Sequence, residues 1–100
     1  MIRHIVMWTF PDEAGGADRA ANVERARAGL AALDDLVPGM RSLEVVTAQE
    51  RLEHTHDLLL VADFDSEADL AAYSSHPRHV AIASFIAEVR TERACFDYEA

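Results

Sequence analysis

The pattern of apolar and polar positions predicts four strands separated by two helical regions. Four short segments are rich in β-branched, aliphatic and aromatic residues and are bounded by proline, glycine or polar clusters, which is typical of strands. They cover residues 3–10, 41–48, 57–64 and 92–99. The longer segments between them carry apolar residues at spacings of three and four, which indicates helices with one buried side.

The first helix is predicted over residues 19–37. Its apolar stripe consists of Val23, Ala26, Leu30, Leu33 and Val37. Pro38 and Gly39 follow directly and are typical of a helix end.

The second helical region is predicted to be broken at Pro77. Ser66 opens the region with a capping signal for the amide three residues on. Pro77 lacks an amide hydrogen and restricts the preceding residue, His76, to extended geometry. The chain is therefore expected to break at this point and to restart with Pro77 in the first turn of a new helix, which extends over residues 77–89.

This order of elements predicts one α+β domain over residues 1–100. Strand, helix, strand, strand, helix pair and strand make the ferredoxin-like βαββαβ arrangement, a four-stranded antiparallel sheet with helices on one face. Its central strands are the first and third, which are apolar on both faces in this sequence. Helices cover only one face, so the other is expected to form a homodimer interface.

Composition narrows the classes of partner. Eighteen acidic residues against nine basic ones give a net charge of -9, which repels phosphate backbones and anionic membrane surfaces. The single cysteine, Cys95, forms no internal disulfide and suits a reducing cytoplasm. No apolar run approaches the roughly 20 residues that a membrane helix needs. Neither nucleic acid nor a membrane is expected as a partner.

Histidines carry the candidate chemistry, because phosphate-binding, nucleophile and dinucleotide motifs are absent. His79 heads an inward stripe on its helix, and Tyr73 lies on the inward side of the preceding helix. His4 shares a strand face with Trp8, and His76 lies at the break. If these groups converge, His79 can act as a neutral base beside a carbonyl while Tyr73 donates to the developing oxyanion. Burial favours the neutral imidazole.

A purely structural role is the alternative for the same residues. Tyrosine and histidine at broken helices often bond each other or free backbone groups, and His76 fits a helix cap. His54 and His56 resemble a metal-binding pair but lack an evident third ligand, so no metal and no cofactor are predicted. Cys95 has no evident activator and is expected to be inert.

Three stretches resemble the stress-responsive A/B barrel (Dabb) family: "IRHIVMWTF", "HDLLLVADFDSEADLAAYSSHPRHVAIASFI" and "RACFDYE". The resemblance implies a ferredoxin-like fold whose sheets meet in a dimer and form an α/β barrel. A plant polyketide cyclase of this family closes a ring without a cofactor, in a pocket between helices and sheet. Its tyrosine and histidines match Tyr73, His79, His76 and His4.

Two departures from that cyclase imply a remodelled pocket, since Leu58 and Leu30 stand where it has a histidine and a tyrosine. The expectation is a cytoplasmic protein that binds a small, mostly apolar carbonyl compound and performs cyclase-like or lyase-like acid–base chemistry. A non-catalytic accessory protein is the first alternative. A small dimeric-barrel monooxygenase, suggested by fold analogy, is the second.

Overall fold

A four-stranded antiparallel sheet and three helices make up the computed structural model, which describes residues 1–100. The elements in chain order are β1 (Ile2–Trp8), β2 (Glu13–Ala14), β3 (Ala17–Asp18), α1 (Arg19–Ala31), β4 (Met40–Thr47), β5 (Leu58–Phe64), α2 (Glu67–Ser75), α3 (Pro77–Val89) and β6 (Arg93–Glu99). The main sheet has the order β4-β5-β1-β6, while β2 and β3 form a separate hairpin. The predicted ferredoxin-like α+β arrangement is confirmed. None of the helices combines the length and apolarity that a membrane crossing requires.

Pairing of the central strand β1 defines the two faces of the sheet. His4 lies opposite Ala62 on β5 and Asp97 on β6, whereas its neighbour Ile5 lies opposite Phe96. Successive side chains of a strand point to opposite faces. We call the face that carries His4 the helix face and the face that carries Ile5 the open face.

The hydrophobic core lies between the helix face and the three helices. The sheet contributes Val6, Trp8, Leu58, Leu60, Ala62 and Phe64, and the helices contribute Val23, Ala26, Leu30, Tyr73, Ile86 and Val89. Tyr73 is the one buried residue of α2, and it belongs to this core. The position of that helix therefore determines where the phenol lies.

The first helix ends earlier than its apolar stripe predicted. Regular α-helix stops at Ala31, and the following amides of Leu33, Asp34 and Leu36 bond carbonyls three residues back instead of four. Asp35 then adopts a left-handed conformation with φ of 60°. Leu33 and Val37 are nevertheless buried, because tighter turns continue to direct every third or fourth side chain inward.

The start of the chain also differs in detail from the prediction. β1 ends at Trp8 rather than Phe10, since the Phe10 amide donates to the Asp57 carboxylate at 2.8 Å instead of to a neighbouring strand. Residues 11–18, which the pattern assigned to neither the first strand nor the first helix, contain the β2–β3 hairpin. Its turn residues Gly15 and Gly16 have φ of 61° and 83°, the positive values that a two-residue hairpin turn requires.

A close approach at Gly39 fixes the start of α2. Gly39 has φ of 77°, and its carbonyl accepts the Asp65 amide at 2.8 Å. A Cβ atom at Gly39 would overlap the carboxyl group of Asp69. Asp69 in turn accepts the hydroxyl of Ser66, the N-cap residue of α2. The glycine thus lets the beginning of β4 pack directly against the helix that carries Tyr73.

Gly39→Ala is expected to destabilise the fold more than Gly16→Ala. Both glycines have positive φ, which costs alanine about 1 kcal/mol, but a Cβ at Gly16 meets no atom within 4 Å. Overlap with Asp69 should bring the loss at Gly39 to about 2 kcal/mol or more. Urea denaturation of the two variants measures the difference. Equal losses would show that the contact with Asp69 is not a constraint, and Asp69→Ala in the Gly39→Ala background should recover part of the loss.

Candidate functional site

The break between α2 and α3 leaves backbone groups that two histidines satisfy. α2 ends at Ser75 and α3 begins at Pro77, with His76 extended between them (φ -61°, ψ 135°). In a continuous helix the Ser74 carbonyl would accept the Arg78 amide. Here the Arg78 amide donates to His76 Nδ1 at 3.1 Å, and the Ser74 carbonyl accepts from His79 Nδ1 at 2.9 Å.

Tyr73 lies beside His79 and is completely buried. Its ring packs on Phe64 with centroids 5.2 Å apart and on His79 with centroids 4.7 Å apart. The Tyr73 hydroxyl has no hydrogen-bond partner. Burial raises the pKa of this phenol to about 12. At neutral pH the hydroxyl is therefore a protonated donor with no acceptor in the chain.

A pocket of about 140 Å³ lies next to this pair, between the helix face of the sheet and α3. Apolar side chains form most of its wall, and five polar side chains interrupt them. The lining residues are His4, Val6, Trp8, Leu30, Leu60, Tyr73, His79, Ala83, Ile86, Ala87, Arg90 and Arg93. The structure brings together His4, Tyr73 and His79, three of the four candidate residues predicted from the sequence.

His79 is half-buried and held in one neutral form. Because a carbonyl oxygen only accepts, the bond to Ser74 places the ring hydrogen on Nδ1 and leaves the lone pair on Nε2. Burial is the main cause that lowers the pKa of His79, and the nearby His4 and Arg93 lower it further, against the opposing effect of the Ser74 carbonyl. The pocket therefore contains an imidazole with a free acceptor nitrogen near neutral pH.

His4 forms a second oriented imidazole through a partner that sequence reasoning missed. Its Nδ1 donates to Asp97 Oδ1 at 2.5 Å, across the pair of strands that places the two residues in register. A carboxylate on one ring nitrogen fixes the orientation of the ring and leaves the other nitrogen available. The alternation of side chains along β6 places Asp97 on one of the two faces of the sheet. Only the exact register of β6 against β1 shows that Asp97 lies opposite His4.

His76 is the one candidate residue that does not line the pocket. Its Nδ1 accepts the Arg78 amide and caps α3. This contact is the helix cap that the sequence offered as the alternative for His76, and its supporting role in the site stays a prediction.

His54 and His56 also lie apart from the Tyr73 pocket. Both occur in the loop 48–57, where His54 Nδ1 lies 2.9 Å from the Leu52 carbonyl and His56 Nδ1 lies 2.8 Å from the Thr55 hydroxyl. They border a wider depression of about 400 Å³ beside Met7 and Leu59 of the open face. That depression is less enclosed and lacks a buried unpaired donor, so the Tyr73 pocket is the stronger candidate site.

One group of side chains has the composition of a metal site. The donor atoms of His4, Cys95 and Asp97 lie within 4.8 Å of one another. Ligands about 2.0–2.1 Å from a tetrahedral zinc ion lie more than 3 Å apart, whereas the nitrogen and oxygen of His4 and Asp97 are 2.5 Å apart. Burial and the Asp97 carboxylate raise the pKa of the Cys95 thiol. The arrangement observed is therefore that of a hydrogen-bonded imidazole–carboxylate pair.

His79 should titrate below the ordinary histidine pKa of 6.5, because burial disfavours its charged form. The unfolded chain binds this proton more tightly, so the free energy of unfolding should decrease as the pH falls through 6.5 towards the lowered pKa. NMR titration of the imidazole protons measures the pKa, and His79→Gln should flatten the corresponding part of the stability profile. His54→Gln, in an exposed loop, is the matched control. A His79 pKa at or above 6.5 would contradict the effect of burial.

Comparison with known proteins supports the sequence resemblance over almost the whole chain. The family model for the Stress responsive A/B Barrel Domain matches residues 2–100. No curated protein matches the sequence. A dimeric ferredoxin-like protein of unknown function from Bacteroides fragilis is 29% identical, with a TM-score of 0.84 over 99% of this chain and 95% of its own. A dimeric ferredoxin-like protein of unknown function from Thermobifida fusca is 25% identical, with a TM-score of 0.85 over 99% and 90%.

Two structural neighbours with a named activity are more distant. Hydroxynitrile lyase from Passiflora edulis is 16% identical, with a TM-score of 0.75 over 97% of this chain and 90% of its own. A candidate antibiotic biosynthesis monooxygenase from Nitrosomonas europaea is also 16% identical, with a TM-score of 0.80 over 100% and 98%. At this identity the likeness shows the fold alone. The match to the family model establishes that the chain belongs to the stress-responsive A/B barrel (Dabb) family.

Proposed function

We propose that this Dabb protein binds a small, mostly apolar carbonyl compound in the Tyr73 pocket and promotes cofactor-free acid–base chemistry on it. The observation that carries the proposal is the buried, unpartnered hydroxyl of Tyr73 beside the neutral imidazole of His79. Both side chains line an apolar pocket. A carbonyl oxygen is the kind of acceptor that this hydroxyl lacks.

The energetic cost of the unpaired hydroxyl favours a ligand. Leaving a buried donor unsatisfied costs about 1–3 kcal/mol, and in native proteins such a group calls for an explanation, such as an ordered water, an ion, backbone strain or a catalytic role. A ligand oxygen at hydrogen-bond distance would remove this cost. The pocket therefore gains binding energy from a carbonyl that a purely apolar ligand would not supply.

The proposed chemistry is proton transfer from a carbon atom next to the carbonyl group. His79 Nε2 takes the proton, the electron pair of the broken C–H bond moves into the carbonyl, and the oxygen becomes an enolate. Tyr73 donates its hydrogen bond to that oxygen, where the negative charge develops. The enolate then attacks a second carbonyl carbon, as in an aldol reaction, or regains a proton. His4, oriented by Asp97, is a second imidazole that supports this proton transfer.

Hydrogen–deuterium exchange at carbon tests this chemistry without knowledge of the natural substrate. A panel of small ketones such as acetylacetone and acetophenone should exchange their α-hydrogens in D₂O faster with the protein than in buffer. His79→Gln and Tyr73→Phe should each slow the protein-dependent exchange by about 100-fold or more, because each removes a group acting in the transition state. Proton NMR follows the loss of the α-hydrogen signal.

His54→Gln is the control for this assay, since His54 lies in the exposed loop outside the pocket. It should leave the exchange rate unchanged. Exchange that survives both His79→Gln and Tyr73→Phe within about tenfold would remove the proposed roles.

A non-catalytic accessory protein is the second candidate, and the helix joint gives it a specific basis. His76 and His79 each satisfy a backbone group at the break, which explains both residues without a substrate. The exchange assay separates the two functions, because this alternative predicts no protein-dependent exchange of any ketone. A monooxygenase activity has only the fold of the Nitrosomonas europaea protein in its favour.

We further propose that the chain is a cytoplasmic homodimer that packs through its open face. That face carries Ile5, Met7, Leu59, Val61 and Phe96, and the Phe96 side chain is 69% exposed. Apolar surface of this kind commonly marks an interface. The relatives from Bacteroides fragilis and Thermobifida fusca are dimeric, which supports a homodimer.

Phe96→Glu should convert the dimer into a monomer. A carboxylate between two packed apolar faces would be buried without a partner, which costs several kcal/mol. Val80→Glu is the matched control, because Val80 is 48% exposed on α3 and lies away from the open face. Sedimentation equilibrium at micromolar concentration measures both variants. A monomeric unmodified chain, or a dimeric Phe96→Glu variant, would contradict the proposed interface.

A further inference from the structure

The Tyr73 pocket carries positive charge in a protein that is strongly negative overall. All nine basic residues of the chain are arginines, and the net charge is -9. Arg3, Arg19, Arg27 and Arg41 form ion pairs with carboxylates. Arg90 and Arg93 line the pocket and form no ion pair, and no carboxylate is among the lining residues.

The two arginines come from different elements that meet at the pocket. Along β1 the lining runs from His4 to Trp8, and Arg93 is in register opposite Trp8. Along α3 the lining runs from His79 to Arg90, the residue that caps the helix end. Strand register and helix length thus bring Arg93 and Arg90 to the same pocket as the imidazoles, and Arg93 lies close enough to His79 to lower its pKa.

Neither arginine is occupied by a competing carboxylate. Arg90 Nη1 donates to the Thr91 carbonyl at 3.2 Å, which uses one of its five N–H groups. Asp97 lies outside the pocket lining and is engaged by His4 Nδ1 at 2.5 Å. The guanidinium groups therefore remain available to an anion that enters the pocket.

We propose that the pocket selects a small keto acid, whose carboxylate binds Arg90 and Arg93 while its carbonyl oxygen reaches Tyr73. The inference rests on the proposed carbonyl binding and adds the substrate class to it. Guanidinium groups match carboxylates through paired N–H donors. A cluster of positive charge also attracts an anion that the net charge of the protein would otherwise repel.

The size of the pocket limits the rest of this ligand. Its volume is about 140 Å³, close to the roughly 150 Å³ of an engineered apolar cavity that holds benzene. The apolar wall, which includes Leu30, Leu60 and Ile86, suits a hydrocarbon body of that size. The class is therefore an acid with about one ring or a short chain, and not a long acyl group.

Fluorescence of Trp8 tests the carboxylate preference directly. Trp8 is the single tryptophan of the chain and lines the pocket, so a ligand that enters should change its emission. Benzoate and its neutral analogue benzamide are the probes, titrated at pH 7.5 and low ionic strength. Benzoate should bind at least about tenfold more tightly than benzamide, as expected for charge-assisted hydrogen bonds.

Arg90→Gln and Arg93→Gln should each weaken benzoate binding by about tenfold and leave benzamide binding unchanged. Arg51→Gln, in the exposed loop, removes the same charge elsewhere and should change neither affinity. Arg90→Lys and Arg93→Lys keep the charge and should retain most of the preference for benzoate. Circular dichroism confirms that each variant is folded before titration.

The outcomes separate this inference from the proposed function. Equal affinity for benzoate and benzamide would overturn the carboxylate preference and leave carbonyl binding in the pocket intact. A benzoate preference that survives both glutamine substitutions would overturn the role of the arginines. No response of Trp8 to either probe would overturn ligand entry itself, and with it both proposals.

Discussion

The interruption of the helix at Pro77 is the constraint on which the site depends. A proline at this point removes one amide and prevents a continuous helix, so a carbonyl at the end of α2 and an amide at the start of α3 lose their usual partners. His79 and His76 satisfy these two groups. The bond that completes the end of α2 also fixes the tautomer of His79 and holds its ring against Tyr73. The hydrogen bond that satisfies the Ser74 carbonyl therefore also positions the His79 imidazole.

The second constraint is the pairing of β1 with both neighbouring strands, which assigns each side chain to one of the two faces of the sheet. Side chains on the helix face reach the pocket, as His4 does, and its partner Asp97 follows from the same register. Side chains one residue away reach the open face, as Ile5 and Phe96 do. A slip of one residue would exchange the two sets. Pocket and proposed interface thus depend on the same hydrogen-bonded ladder and cannot shift independently.

The sequence predicted the features that depend on local pattern and missed those that depend on register or rotamer. Period and turn residues were sufficient for the four strands and for the break at Pro77. Leu33 and Val37 continue the helical spacing beyond the end of α1, so spacing alone could not locate that end. The side chain of His76 turns to the Arg78 amide and not into the pocket. The position of His76 in the sequence does not decide between these two orientations. Asp97, Arg90 and Arg93 join the site only when strand register and helix length are known.

The polar groups of the pocket differ in how far the folded chain satisfies them, and this difference points to a ligand. The imidazoles of His4 and His79 each have one nitrogen bonded within the protein. The Tyr73 hydroxyl has no partner, and the two arginines have no carboxylate. A chain selected for stability alone would gain from phenylalanine at position 73, because the ring would keep its contacts and lose the unsatisfied donor. Retaining a donor and two cations around apolar walls is consistent with a site that exchanges stability for recognition, and the proposed ligand, a carbonyl compound with a negative charge, complements these groups.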